Sequence, residues 1–249
     1  MPILESRSAS GLAPDTPPRQ VFTSIERTLV RRCTSPAKVQ AWLNALPYNS
    51  EPQGETQRSF RTVVRLQTAH CLEAALAAAV ILEQHGYPPR VLSFESMDGL
   101  DHVIYVYQAG GKWGSIARSR DPGLHGRKPL FATPRALALS YVDPYVDDTG
   151  AVTAYAVIDL RTLMGGYDWR FSTRNLWKVE QALIDYPHRP IVTSARRIER
   201  LRAQYRAYRE QHGGRKPVYY ARRDRWTPVP REATLPYPPP AAARNNGRP

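Results

Sequence analysis

Cys71 and His102 are the residues of this sequence best suited by type and spacing to do chemistry. Cys71 sits in Thr68-Ala69-His70-Cys71-Leu72-Glu73-Ala74-Ala75, at the head of an apolar run that reaches Leu82. A thiol at a helix N-terminus feels the positive end of the helix dipole, which favours thiolate over thiol. About thirty residues on, Asp101-His102-Val103-Ile104-Tyr105-Val106-Tyr107 reads as a strand with a histidine near its start. A cysteine heading a buried helix, then a histidine on the next long strand, is the chain order of nucleophilic catalysis by a Cys-His pair. The bland alternative is packing. Cysteine is among the most buried residue types, and His102 alternates with Ile104 and Val106 as a core histidine would.

The elements needed to position such a pair can be read along the chain. Ser35-Pro36 gives an N-cap and a proline at the first helical position, followed by an apolar stripe of Val39, Trp42, Leu43 and Leu46. Residues 49–55 form a polar loop, and a short helix over 59–66 leads into the Cys71 helix, which Gly86 and Pro88-Pro89 end. Strands are expected over 90–95, 101–108 and 112–119, the last two joined as a hairpin through Gly110-Gly111. A helix over 134–141, a strand over 152–160 and a helix over 175–186 follow. This order favours an α+β fold over a doubly wound sheet.

Composition bounds the class. The chain has 249 residues and 42% hydrophobic residues, enough for one sizeable core. Its longest apolar run is too short to span a bilayer, and residues 1–6 lack the basic and apolar regions of a secretory signal. Two cysteines in dissimilar surroundings make no disulfide framework, and no zinc-finger spacing occurs, so a cytoplasmic protein is expected. From Arg189 onward there are fifteen Lys/Arg and four Asp/Glu, so +11 of the formal +13 lies there.

The chain resembles the transglutaminase-like, papain-type cysteine enzyme superfamily, and within it a group of bacterial transglutaminase-like proteins. The likeness is carried by His70-Cys71-Leu72-Glu73-Ala74-Ala75, Asp101-His102-Val103-Ile104 and Trp113-Gly114-Ser115-Ile116, and extended by Leu124-His125-Gly126-Arg127-Lys128-Pro129 and Leu139-Ser140-Tyr141. It covers roughly residues 35–165. It implies a cysteine-bearing buried helix packed on an antiparallel sheet, with Cys71 as nucleophile and His102 as general base. The third member of that family's site is usually an aspartate across the next hairpin, and here the sequence departs. If Ala109 faces Lys112, then His102 faces Ser119, with Asp121 two residues further on. A serine can orient an imidazole but stabilises its charged form less than a carboxylate does.

The expected reaction is attack of the Cys71 thiolate on a carboxamide or peptide carbonyl, with the thioester resolved by water or by a second amine. The Cys71 backbone amide would supply the oxyanion hole, with the Gln67 side chain as a second donor. Trp113 is either core or a wall of the site. His70 reads as a cap or rim residue, and Asp98 and Asp101 as turn formers. No cofactor and no metal are expected; a protein or peptide substrate is, and a membrane is not.

The rival reading is a catalytically degenerate binding module. Residues 194–212, with Ile198, Leu201, Tyr205 and Tyr208 at helical spacing, carry arginines that could contact an acidic partner or nucleic acid. A helix docked by its tyrosines with solvated arginines is the plainer alternative. The expected organisation is a disordered tail over 1–20, the transglutaminase-like domain over 21–190, a basic helical extension over 191–226 and a Pro-rich disordered tail over 227–249.

Overall fold

Four helices open the chain, and side-chain oxygens start three of them. The computed structural model describes residues 16–214; expectations for 1–15 and 215–249, the Pro-rich tail among them, lie outside these. Ser24–Arg32 (α1) begins with a capping box: the Thr23 hydroxyl accepts from Glu26 N–H, and the Glu26 carboxylate accepts from Thr23 N–H. Pro36–Ala45 (α2) is capped by Ser35, and Phe60–Leu66 (α3) by Ser59. Cys71–Glu83 (α4) follows, with every residue from Leu72 to Glu83 buried. A helix apolar all round belongs at the centre of a fold, and α4 packs against α1, α2, α3 and the sheet.

The sheet has six strands, all antiparallel to their neighbours: Arg90–Ser96 (β1), His102–Ala109 (β2), Lys112–Ile116 (β3), Arg127–Phe131 (β4), Val152–Asp159 (β5) and Arg189–Pro190 (β6). Their spatial order is β4-β3-β2-β1-β5-β6. The β2–β3 turn uses Gly110 and Gly111 at φ +57° and +72°, the left-handed pair that a two-residue hairpin requires. Its register is the expected one, from Ala109 opposite Lys112 to Tyr105 opposite Ile116.

Pro134–Tyr145 (α5), Leu160–Met164 (α6), Trp177–Ile184 (α7) and Ala195–Gln211 (α8) complete the structure. Val103, Tyr105 and Tyr107 of β2 join the core under α4, α6 and α7, while Ile104 and Val106 pack on the other face with α5. The fold is α+β, with the cysteine-bearing helix on an antiparallel sheet.

Several expectations change. β3 stops at Ile116 rather than reaching 119, because Gln40 takes over the pairing: its amide donates to Ala117 O at 2.9 Å and accepts from Ala117 N–H at 3.0 Å. α5 runs four residues beyond 141, and β4, α1 and α6 were not foreseen. Pro129 is tolerated in β4 because that strand is an edge. Residues 16–20, expected as part of a disordered tail, are tied to the core: Gln84 donates to Pro17 O and Arg161 to the Thr16 hydroxyl.

α8 matches its expected span, with Ser194 as N-cap. Leu201 and Tyr205 are buried. Its arginines turn inward to carboxylates and a carbonyl: Arg197 pairs with Asp143, Arg206 and Arg209 with Asp148, and Arg202 donates to Thr149 O. Arg196 and Arg200 remain exposed.

The C-terminal end of α4 carries an unfavourable charge. Glu83, fully buried, stands where the helix dipole is negative, and two arginines hold it: Arg161 at 2.8 Å and Arg170 at 2.8 Å. Removing one side of such a network leaves buried charge uncompensated, at about 3 kcal/mol or more. Glu83→Gln should therefore shift a urea unfolding curve by about that amount. Asp148→Asn, at the exposed pair with Arg206, should leave the midpoint nearly unchanged.

Candidate functional site

The first turn of α4 and the start of β2 meet at the floor of a cleft of about 500 Å³. Cys71 is the first residue of its helix, so its backbone N–H has no intrahelical partner and faces the positive end of the dipole. Burial alone would raise the Cys71 thiol. Hydrogen bonds and charge from His102 and His70 outweigh it and hold the thiol well below its ordinary value. The predicted Cys-His pair is thus brought together, with a second histidine beside it.

His102 is buried, its ring parallel to Phe94 at 6.4 Å and tilted against Tyr145 at 6.4 Å. Its Nε2 lies 3.3 Å from Leu124 O. A carbonyl can only accept, so Nε2 carries the proton and Nδ1 is left for the thiol. Ser119 and Asp121 do line the cleft, but Ser119 does not hold the ring as expected. The β2–β3 ladder ends before it, and its hydroxyl accepts from Asp121 N–H at 3.0 Å instead.

The loop that supplies Leu124 O is fixed from behind. Arg127 is fully buried, with its guanidinium 4.1 Å over the Tyr141 ring; it donates to His125 O, and to Gly123 O at 2.6 Å. Tyr141 donates to His125 O at 3.0 Å and shares a 2.6 Å bond with Ser115, whose hydroxyl accepts from Arg127 N–H. Gly126 is required here, since a Cβ would collide with the Gln40 side chain and stand 2.5 Å from Ser115 O.

His70 is the site residue whose part the sequence concealed. As N-cap of α4 it directs its ring to the thiol, and its Nε2 donates to Thr56 O at 2.7 Å. Glu73 Oε1 lies 3.4 Å from the same nitrogen. Burial opposes its charge, but the thiol, Glu73 and the Thr56 carbonyl together push it up to about 9. Glu73 itself is fully buried and accepts from His70 N–H, Arg58 N–H, the Thr56 hydroxyl and the Asn49 amide. The sequence signal was a glutamate three residues after the cap, the capping-box spacing.

Two expected site residues lie elsewhere. Gln67, the suggested oxyanion donor, is the exposed left-handed C-cap of α3, and its amide donates to Val64 O at 2.6 Å. It borders a separate groove between α1 and α2. Trp113 pairs with Gln108, six residues along β2 from His102 and so about 20 Å away at ~3.3 Å per residue; it packs with the core on the α5 side. Asp98 and Asp101 shape their turn through Ser96 and Leu100, and both also line the cleft. Cys33 is buried outside the site. Among the described residues no cluster of His, Cys, Asp and Glu is arranged to hold a metal ion, and no helix is long and apolar enough to cross a membrane.

No protein-family model matches the chain, and no curated protein matches it significantly in sequence. Among solved structures it is similar to Legionella pneumophila LapG, at a TM-score of 0.34 and 12% identity over 60% of this chain and 89% of that one. A likeness of that degree does not bear on function.

His125, behind the loop, offers a pH test. Burial first, then Arg118 and Arg127, lowers it to about 3. The unfolded chain takes a proton there below about 6.5 and the folded one refuses it, so stability falls as pH drops from about 6.5 towards 3, by about 1.4 kcal/mol per unit. Urea midpoints between pH 7 and 5 should show this slope in the native protein and lose it in His125→Asn.

Proposed function

We propose that the protein is a thiol-dependent hydrolase or acyltransferase acting on amide or peptide bonds. The observation that carries this is a single thiol, at a helix N-terminus and on a cleft floor, held well below its ordinary value by two neighbouring histidines. A structural cysteine has no use for that arrangement, because a lowered pKa makes a nucleophile. The order of cysteine helix, histidine strand and following hairpin on an antiparallel sheet supports a papain-like, transglutaminase-type core.

The two histidines divide the work. His70, backed by Glu73, stays charged at neutral pH and holds the thiolate. His102, oriented by the Leu124 carbonyl, takes the thiol proton and returns it to the leaving amine. The Cys71 sulfur bonds to the substrate carbonyl carbon, and the oxyanion that forms is met by the Cys71 backbone N–H. Collapse breaks the C–N bond and leaves a thioester. Water or an acceptor amine then adds, giving its proton to His102, and the thiolate departs.

Iodoacetamide labelling of Cys71 against pH tests the reading. The native protein should label fast below pH 7. His70→Gln and His102→Ala should each raise the labelling midpoint by about one unit or more, since each loses a hydrogen bond to the thiolate. Ser119→Ala should leave it in place, because Leu124 O holds the ring. Labelling no faster than a free thiol below pH 7 in the native protein would sink the proposal.

A further inference from the structure

The cleft walls are acidic in a chain of formal net charge +13. Glu51, Glu55 and Glu180 line the cleft, as do Asp98, Asp101, Asp121 and Asp147. Among the described residues Arg120 is the one arginine in the lining, and no lysine joins it. Glu51 lies 3.8 Å from the charged His70 ring, while among the described residues Glu55, Asp98, Asp101, Asp147 and Glu180 form no ion pair with an arginine or lysine. Several meet neutral donors, as Glu180 does at the Gln57 amide, Asp101 at Ser96 N–H and Asp147 at Thr149 N–H. Away from the cleft the pattern reverses: Glu26, Glu83, Asp143, Asp148 and Asp159 are each bridged to arginine. A protein with arginine to spare thus leaves most of these carboxylates without an arginine or lysine partner. Burial, with Glu55 and Glu51 nearby, pushes the Glu180 carboxyl above its usual range against the pull of the His70 charge.

Gln57 ties Glu180 into the wall of the cleft. It lines the cleft at 6% exposure, and its Nε2 donates to Glu180 at 2.5 Å. That bond fixes which end is nitrogen, since a carboxylate only accepts. The other end, Oε1, is buried with no hydrogen-bond partner.

We infer that the cleft takes a peptide bearing a lysine or arginine side chain beside the carbonyl that Cys71 attacks, an inference that rests on the thiol reading above. The cationic group would sit among Glu51, Glu55 and Glu180. Bulk charge argues the other way, since a +13 chain attracts anions at long range. A preference for cations can therefore come only from the local field of the cleft, whose carboxylates act at close quarters.

Three peptidyl chloromethyl ketones that differ only in the residue next to the reactive ketone, lysine, norleucine or glutamate, test this, with alkylation of Cys71 read by mass and iodoacetamide as the uncharged reference. The lysyl reagent should react about tenfold faster than the norleucyl one, with the glutamyl slowest, and the advantage should shrink with added salt. In Glu55→Gln/Glu180→Gln the lysyl-to-norleucyl ratio should fall towards one. Equal rates for the three ketones beside fast iodoacetamide labelling would overturn the cationic preference while leaving the thiol reading intact. Slow labelling by every reagent would instead overturn the thiol reading. The cleft preference is then decided by fluorescence anisotropy of a dye-labelled lysine-rich peptide on Cys71→Ala: salt-sensitive binding that Glu55→Gln/Glu180→Gln weakens supports it, and no binding refutes it.

Discussion

A carboxylate with no access to water lies beneath the first turn of the cysteine helix, and the surrounding chain is arranged to satisfy it. Glu73 accepts from the backbone of His70 and Arg58 and from the side chains of Thr56 and Asn49. It also sits in the positive end of the α4 dipole. Stripping a buried charge of such partners costs several kcal/mol, so the 49–58 loop is pinned to the helix head. That loop is one wall of the cleft. The same carboxylate lies beside the His70 ring and favours its charged form. One glutamate therefore sets a wall of the cleft, the cap of the helix and the field at the sulfur.

This placement changes where the negative charge of the site resides. The family that the sequence resembles usually has an aspartate across the hairpin from the base, and the expectation here was Ser119 opposite His102. Here a backbone carbonyl holds His102, and the carboxylate stands behind the other histidine. A carbonyl fixes the tautomer and the orientation of the ring as firmly as an aspartate, but stabilises the imidazolium less. His70 supplies what is lost, a standing positive charge against the thiolate. Fixing the ring and supplying the charge fall to separate histidines.

Much of this was legible in the sequence, for identifiable reasons. The Cys71 helix, the Gly110-Gly111 hairpin and its register follow from apolar periodicity and turn chemistry, which depend on residue type alone. The Leu124 carbonyl was not legible, because every residue has one and nothing in a side chain announces it. The Ser119 expectation extended a correct register past the point where Gln40 replaces the partner strand. β4 was hidden by Pro129, a strand breaker anywhere but at an edge. The phrases around Ser115, Arg127 and Tyr141 were visible as a resemblance, yet their shared role appears only in three dimensions: they are the network that holds the loop behind His102.

Charge was the most misleading quantity read from the chain. The basic C-terminal region invites an acidic partner, yet in α8 several arginines are spent on Asp143 and Asp148 of the body they dock to. The acidic residues of the cleft are scattered from Glu51 to Glu180 and form no run, so no window of sequence shows them together. Net charge governs what a molecule meets at a distance and is screened within a Debye length of about 8 Å. Inside a cleft the field belongs to the groups lining it, and here they have the opposite sign to the whole. The Cys71 thiolate is steadied there by His70 and His102 against the cost of its burial. The walls carry negative charge, and the two histidines at the floor carry the stabilisation of the sulfur.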